Sequence, residues 1–260
     1  MSKEIHVKQA LFRQHVLAWY EAGDGPIVLL LHGGGGTGKA WWHQLQALST
    51  HYRVIAVDMP GFGRSDWVDG LCSVSDLADY LHEWVTASNW RCLAIGGNSM
   101  GGRVALHWVQ SYPQDAQKLL LLDAVTLILP DVPILNPLDL PRETFLQTLV
   151  FDPRTYQKRT PYRSLDDARQ LARGHENFAR YVACAPLAQG RADALRTLQS
   201  AVLLIWGEND RIIPIAYAHY LHKILPHSTL TILPECGHLP HLEKPEAVNA
   251  LLADFLAQTF

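Results

Sequence analysis

Five short apolar runs recur along the chain, PIVLLLH at 26–32, YRVIAVD at 52–58, RCLAIGG at 91–97, KLLLLDA at 118–124 and AVLLIWG at 201–207, with turn signals after them. Continuous apolarity without polar alternation predicts strands buried on both faces. Between most of them the apolar spacing is helical, as in VSDLADYLHEWV at 74–85 and GRVALHWVQSY at 102–112. Strands alternating with helices predict an α/β fold, a mostly parallel central sheet with helices on both faces. The first twenty residues, with Val16-Leu17-Ala18-Trp19-Tyr20 before Gly23, predict an opening antiparallel pair. Residues 128–197 break the rhythm with several prolines, helical spacing in SLDDARQLARGHENFARYV and no buried strand. The regular pattern returns with AVLLIWG, a helix at about 215–225, TLTILPE at 229–235 and a last helix from Pro245 through Leu256. The chain therefore reads as one α/β domain in two parts, 1–127 and 198–260, interrupted by a small helical cap insertion at 128–197.

Composition narrows the function. The 260 residues are 48% hydrophobic, enough for a sizeable core, and 22 basic residues against 25 acidic ones leave a formal charge of -3. That balance offers no field for a nucleic acid and points to a small-molecule partner. No apolar run approaches membrane-spanning length, and MSKEIHVKQALF lacks the apolar stretch of a signal peptide. Cys72, Cys92, Cys184 and Cys236 are scattered without C-x-x-C or zinc spacing. The expectation is a cytoplasmic protein with reduced thiols, no metal and no membrane association.

The chemistry-bearing residues cluster after strands. Gly97-Asn98-Ser99-Met100-Gly101 is a G-x-S-x-G pattern between the strand RCLAIGG and a helical run. A sharp turn there lifts the serine hydroxyl clear of the sheet, and glycines stand where a Cβ would collide with its neighbours. A serine hydroxyl needs a base, and the base needs a partner to fix its tautomer. Asp210 follows the strand AVLLIWG and His238 follows TLTILPE, so both fall at strand carboxyl ends, where ligands bind in open α/β sheets. Catalytic Ser99, Asp210 and His238 are the candidates. Asp123, at the end of KLLLLDA, is a rival acid, and His241 is a rival base. The Met100 N–H at the helix start is a candidate oxyanion donor.

Through HGGGG at 32–36, DMPGFGRSD at 58–66, GNSMGG at 97–102, GENDRIIP at 207–214 and GHLPHLEKP at 237–245, the chain resembles the α/β-hydrolase superfamily. The resemblance implies a Ser-Asp-His triad in chain order, a second oxyanion donor from Gly34 or Gly35, a structural role for Asp58 and Arg64, and no cofactor. It implies an acyl or carbonyl substrate: a small carboxylic ester, or the carbon-carbon bond of a vinylogous diketo acid from aromatic degradation. Asn98 before the serine matches several carbon-carbon hydrolases, whereas Leu239 stands where those enzymes typically carry tryptophan. A noncatalytic small-ligand receptor is a further alternative on this fold.

Three features remain open. Gly33 through Lys39 fits the first seven positions of G-x-x-x-x-G-K-[ST], but Ala40 fails the eighth. Trp41 and Trp42, beside the glycine loop, suit either a pocket wall or the core. The insertion holds nine arginines and Lys158 against eight acidic residues, so one inward arginine could hold a substrate carboxylate while the rest lie on solvated helix faces.

Overall fold

Eight strands form a single sheet in the order β1-β2-β4-β3-β5-β6-β7-β8. The structure is a computed structural model and describes residues 3–184 and 192–259. β1 (His6–Phe12) and β2 (His15–Ala22) make the expected antiparallel pair, and β2 runs antiparallel to β4 (Arg53–Asp58). β3 (Ile27–Leu31), β5 (Cys92–Asn98), β6 (Lys118–Leu122), β7 (Ala201–Gly207) and β8 (Ser228–Leu233) are parallel to their neighbours. The helices are α1 (Trp42–Leu48), α2 (Val74–Ala87), α3 (Met100–Ser111), α4 (Arg142–Leu149), α5 (Pro153–Arg159), α6 (Leu165–Cys184), α7 (Ala192–Arg196), α8 (Ala216–Ile224), α9 (Pro240–Glu243) and α10 (Pro245–Ala257). α4 to α7 lie between β6 and β7, within the stretch read as an insertion; residues 185–191 of that stretch fall outside the described residues.

Two-residue periodicity divides the apolar runs between two cores. Leu29, Leu31, Ile55, Val57, Ile95, Leu119 and Leu121 pack with α2, α3 and α8 on one face. Their sequence neighbours Val28, Leu30, Val54, Ala56, Ala94, Leu120 and Leu122 pack with α1 and α10 on the other. The runs are therefore apolar without alternation because neither face meets water. α1 was not evident from the pattern: it follows a turn of 3₁₀ helix over Gly38–Trp41, capped by Thr37, and buries Gln44, Leu45 and Leu48.

Polar clamps join the loops at the carboxyl ends of β3 and β4. The buried His32 ring donates through Nδ1 to the Gly33 carbonyl at 2.8 Å and accepts the Met59 N–H on Nε2 at 3.1 Å. Those two bonds require the neutral tautomer protonated on Nδ1. Asp58, also buried, accepts from the Gly38 N–H at 2.6 Å and the Arg64 N–H at 2.8 Å. Burial pushes its carboxyl up to about 6, and the structural role expected for Asp58 is what these bonds describe.

Burial pulls the His32 imidazole from 6.5 down to about 4. A depressed histidine contributes stability that is complete above pH 6.5 and is lost as pH falls through 4, because the unfolded chain binds the proton first. At pH 7 His32→Gln should be less stable than wild type, and the gap should narrow by about 3 kcal/mol on going to pH 4. Denaturant melts of both proteins at several pH values measure that difference, with the opposing titration of Asp58 cancelling between them.

Candidate active site

Ser99 sits where β5 turns into α3, at φ 53° and ψ -116°, a conformation that side chains other than glycine rarely adopt. Its N–H donates to the Leu122 carbonyl at 3.0 Å and its carbonyl accepts the Arg103 N–H at 3.1 Å, so the turn is held from both sides. Glycines allow it. A Cβ on Gly97 would lie 2.4 Å from the Gly101 backbone, one on Gly101 would lie 2.3 Å from the Leu31 carbonyl oxygen, and one on Gly102 would lie 2.5 Å from the Ala124 Cβ. The helix can therefore rest directly against β3 and β6, with the serine at its first turn. Met100 is the first residue of α3, so its N–H has no partner within the helix.

The other two candidates meet at the adjacent strand ends. The Asp210 Oδ2 accepts a hydrogen bond from the His238 Nδ1 at 2.8 Å, with both side chains buried. The Asp210 Oδ1 accepts from the Ile212 N–H at 2.8 Å and the Ile213 N–H at 3.0 Å, which fixes the carboxylate in one orientation. His238 is pinned through its own backbone: its N–H donates to the Leu149 carbonyl and its carbonyl accepts from the Asn98 Nδ2 at 3.0 Å. Asn98 also donates to the Leu122 carbonyl, so it ties the serine turn to the histidine loop. Ser99 and His238 line one cavity of about 160 Å³, and the Gly33–Gly36 loop lines it with them.

In that loop the Gly36 N–H donates to the Gly33 carbonyl at 3.0 Å, and Gly35 occupies the left-handed position at φ 77°. This is the geometry of a type II turn, which favours glycine at its third residue. α6 lies directly on the loop. A Cβ on Gly34 would lie 2.4 Å from the Phe178 ring, one on Gly35 3.1 Å from the His175 ring, and one on Gly174 2.7 Å from the Gly35 carbonyl oxygen. Gly34 and Gly35, the expected oxyanion positions, are thus roofed by the segment read as a cap.

The rival residues have other occupations. Asp123 accepts from the Gly207 N–H at 3.0 Å, and burial followed by the adjacent Asp210 charge raises its pKa well above the usual carboxyl range. Asp123, Asp210 and His238 place possible ligand atoms within 4.8 Å of one another. Of the two carboxyls, Asp210 is the one whose oxygen meets the imidazole. His241 stacks on Trp41 at 4.3 Å, fully buried, and burial pulls its pKa to about 3. Trp41 is core, and neither it nor Trp42 lines the cavities beside Ser99. Lys39 pairs with Asp167 of α6 at 2.7 Å, which commits the lysine of the incomplete phosphate motif. Three insertion arginines are bonded elsewhere: Arg159 to Glu246, Arg163 to the Gln157 and Lys158 carbonyls, and Arg173 to the Gly63 carbonyl. Arg191 lies outside the described residues, as does the side chain of Arg142.

Glu243 escaped the sequence pattern. Its buried carboxyl accepts the N–H groups of Gly237 and Leu239 on either side of His238, at 3.1 Å and 3.2 Å, and that of Phe151 at 2.7 Å. Burial raises its pKa despite these bonds. The only sequence signal is an acidic residue a few positions beyond the histidine, which surface glutamates share. No described helix is long and apolar enough to cross a membrane.

Known proteins share this architecture. A 2-hydroxy-6-oxononadienedioate/2-hydroxy-6-oxononatrienedioate hydrolase of Paraburkholderia phymatum is 30% identical over 258 residues, spanning 92% of this chain and 90% of that protein. A protein of Cronobacter turicensis provisionally named a carbamate hydrolase is 27% identical over 250 residues, 89% of this chain and 91% of that one. The structure of a 2-hydroxy-6-oxo-6-phenylhexa-2,4-dienoate hydrolase from Rhodococcus sp. strain RHA1 superposes with a TM-score of 0.82 at 26% identity, covering 99% of this chain and all of that one. The alpha/beta hydrolase family model matches residues 28–251, the span that contains the parallel sheet, the strained serine turn and the Asp210–His238 pair. This chain belongs to the alpha/beta hydrolase family and is a hydrolase.

Proposed function

We propose that the protein is a serine hydrolase that cleaves a small carboxylic ester through an acyl-enzyme on Ser99. The observation that carries this reading is the 2.8 Å bond between Asp210 and the His238 Nδ1, beside a cavity shared with Ser99. With Nδ1–H committed to the carboxylate, Nε2 is left as the acceptor for the serine proton. The Ser99 Oγ attacks the ester carbonyl as His238 takes its proton, and Asp210 stabilises the resulting imidazolium. Met100 N–H and the Gly34–Gly35 backbone are the proposed donors to the oxyanion. The alcohol leaves with the proton from His238. Water then attacks the acyl carbonyl, returns a proton to His238, and the acid departs as Ser99 recovers its hydrogen. Residues 128–197 act as the cap that limits water above the oxyanion loop, through Phe178 and His175. Four free cysteines suit the reducing cytoplasm.

Carbon-carbon hydrolysis is the second reading, favoured by the names of the Paraburkholderia and Rhodococcus relatives. Asn98 adds less to it than its position suggests, because its amide is spent on the Leu122 and His238 carbonyls. Leu239 departs from the tryptophan expected of that group.

Ser99→Ala should lower kcat by about four orders of magnitude or more without lowering Tm, and Asp210→Asn should lower it by about 10⁴-fold by leaving the imidazole in the wrong tautomer. Steady-state kinetics on a short-chain aryl ester, with melts as the folding control, checks both; activity retained in Ser99→Ala would remove the serine from the mechanism. Comparing kcat/KM for that ester with a 2-hydroxy-6-oxo-dienoate separates the two readings. A preference for the ester is expected, a preference for the dienoate moves the enzyme to carbon-carbon cleavage, and turnover of neither favours a noncatalytic receptor.

A further inference from the structure

A second cavity of about 270 Å³ opens from Ser99 on the side of α2 and α3. Its walls are apolar, with Leu77, Val125, Phe178 and Ile213 among them. Of the polar side chains that line it, two are occupied elsewhere. Tyr181 donates its hydroxyl to the Pro60 carbonyl, and Asn136 accepts from the Leu138 N–H and donates to Asp139. Ser99 is the proposed nucleophile. The remaining polar group is the guanidinium of Arg103, one turn along α3, about 6 Å of helix rise from the serine.

Arg103 is half-buried, and among the described residues its guanidinium has no hydrogen bond, ion pair or aromatic ring over which it stacks. The carboxylates of the neighbouring helix α2 are taken: Asp76 accepts from the Cys72 and Ser73 N–H groups, and Asp79 accepts from the Tyr112 hydroxyl. The undescribed segment 185–191 contains no acidic residue that could serve instead. Burial lowers the arginine's pKa, with no neighbouring charge opposing it. Its place in the first turn of α3 adds a further cost, since the positive end of the helix dipole repels a cation. Among the described residues, this arginine lines an apolar cavity against the dipole and has no counter-ion.

We infer that Arg103 is the receptor for an anionic group of the substrate, which makes the apolar cavity between it and Ser99 the site of a short chain ending in a carboxylate. The inference rests on Ser99 as the reacting end of the site and names the substrate class: a monoester of a dicarboxylic acid, or an equivalent acyl compound with one free carboxylate. A carboxylate matches the guanidinium bidentately and cancels its single charge. A phosphate monoester, with a charge of about -1.5 to -2 at neutral pH, would leave negative charge uncompensated among apolar side chains. The sequence left open an inward arginine in the insertion; among the described residues the arginine that lines this cavity is Arg103, on α3.

Binding to the Ser99→Ala protein tests this without turnover. Monomethyl and dimethyl esters of succinic, glutaric and adipic acid share one ester end and differ only in the charge of the other. Calorimetric titration should give a monomethyl ester of suitable length at least about tenfold tighter binding than its dimethyl counterpart. Ser99→Ala/Arg103→Met should abolish that discrimination, and Ser99→Ala/Arg103→Lys should keep part of it. Because Arg103 has no partner among the described residues, Arg103→Met should not lower Tm; a fall in Tm would mark a structural arginine and overturn the inference. Equal affinity for charged and neutral esters, or discrimination that survives Arg103→Met, would overturn it as well. Failure of ester turnover in the wild type would overturn the esterase reading alone, since the binding comparison does not depend on which bond is broken.

Discussion

The close approach of α3 to the sheet is the constraint on which the site depends. Three glycines, Gly97, Gly101 and Gly102, bring no Cβ of their own to the contact between the helix start and the ends of β3 and β6, where one would collide with its neighbours. The chain can then reverse within one residue, and that residue is Ser99, held at positive φ by bonds to Leu122 and Arg103. The strain is local and the support is distributed, which is how a non-glycine residue persists in such a conformation. The same geometry leaves the Met100 N–H, at the first residue of α3, without a partner within the helix and next to the serine.

Buried carboxyls hold the remaining parts in register with that turn. Asp58 binds the loop after β3 to the loop after β4, Glu243 grips both neighbours of His238, and Asp210 accepts two backbone N–H groups besides the imidazole. Each spans segments far apart in sequence. Burying such groups is costly unless they are bonded, so each clamp favours one arrangement of its loops over many. The histidine loop is also bonded to Leu149 and Phe151 of the intervening helical stretch, which couples the position of His238 to that stretch.

Around these clamps the site divides by polarity. The serine, the glycine loop and the histidine share one cavity, while an apolar cavity with a lone arginine extends along α3. An apolar wall strengthens any charge interaction made inside it, so a single guanidinium there has a large influence on which ligands are accepted. Burial and the adjacent Asp210 push the Asp123 carboxyl well above the usual carboxylate range. The apolar cavity thus lies on the α2–α3 side, and the Asp210–His238 pair at the strand ends.

By itself the sequence determined the layered fold, because strands buried on both faces must be continuously apolar and the helices between them must be amphipathic. It also marked Ser99, Asp210 and His238, since each follows a strand directly and local glycines reveal where backbones come close. The helix α1 and the short helices of the intervening stretch were not legible, as their few turns carry too little periodicity to separate from loop. Glu243 and Arg103 were hidden for a different reason. Their significance lies in what surrounds them: one carboxyl meets three N–H groups from two segments, and one guanidinium has no partner among the described residues. Only the tertiary structure shows that, among the described residues, the arginine lining the apolar cavity is Arg103 and that it has no partner there, because pairing is a property of neighbours in space, and burial sets what an unpaired charge costs.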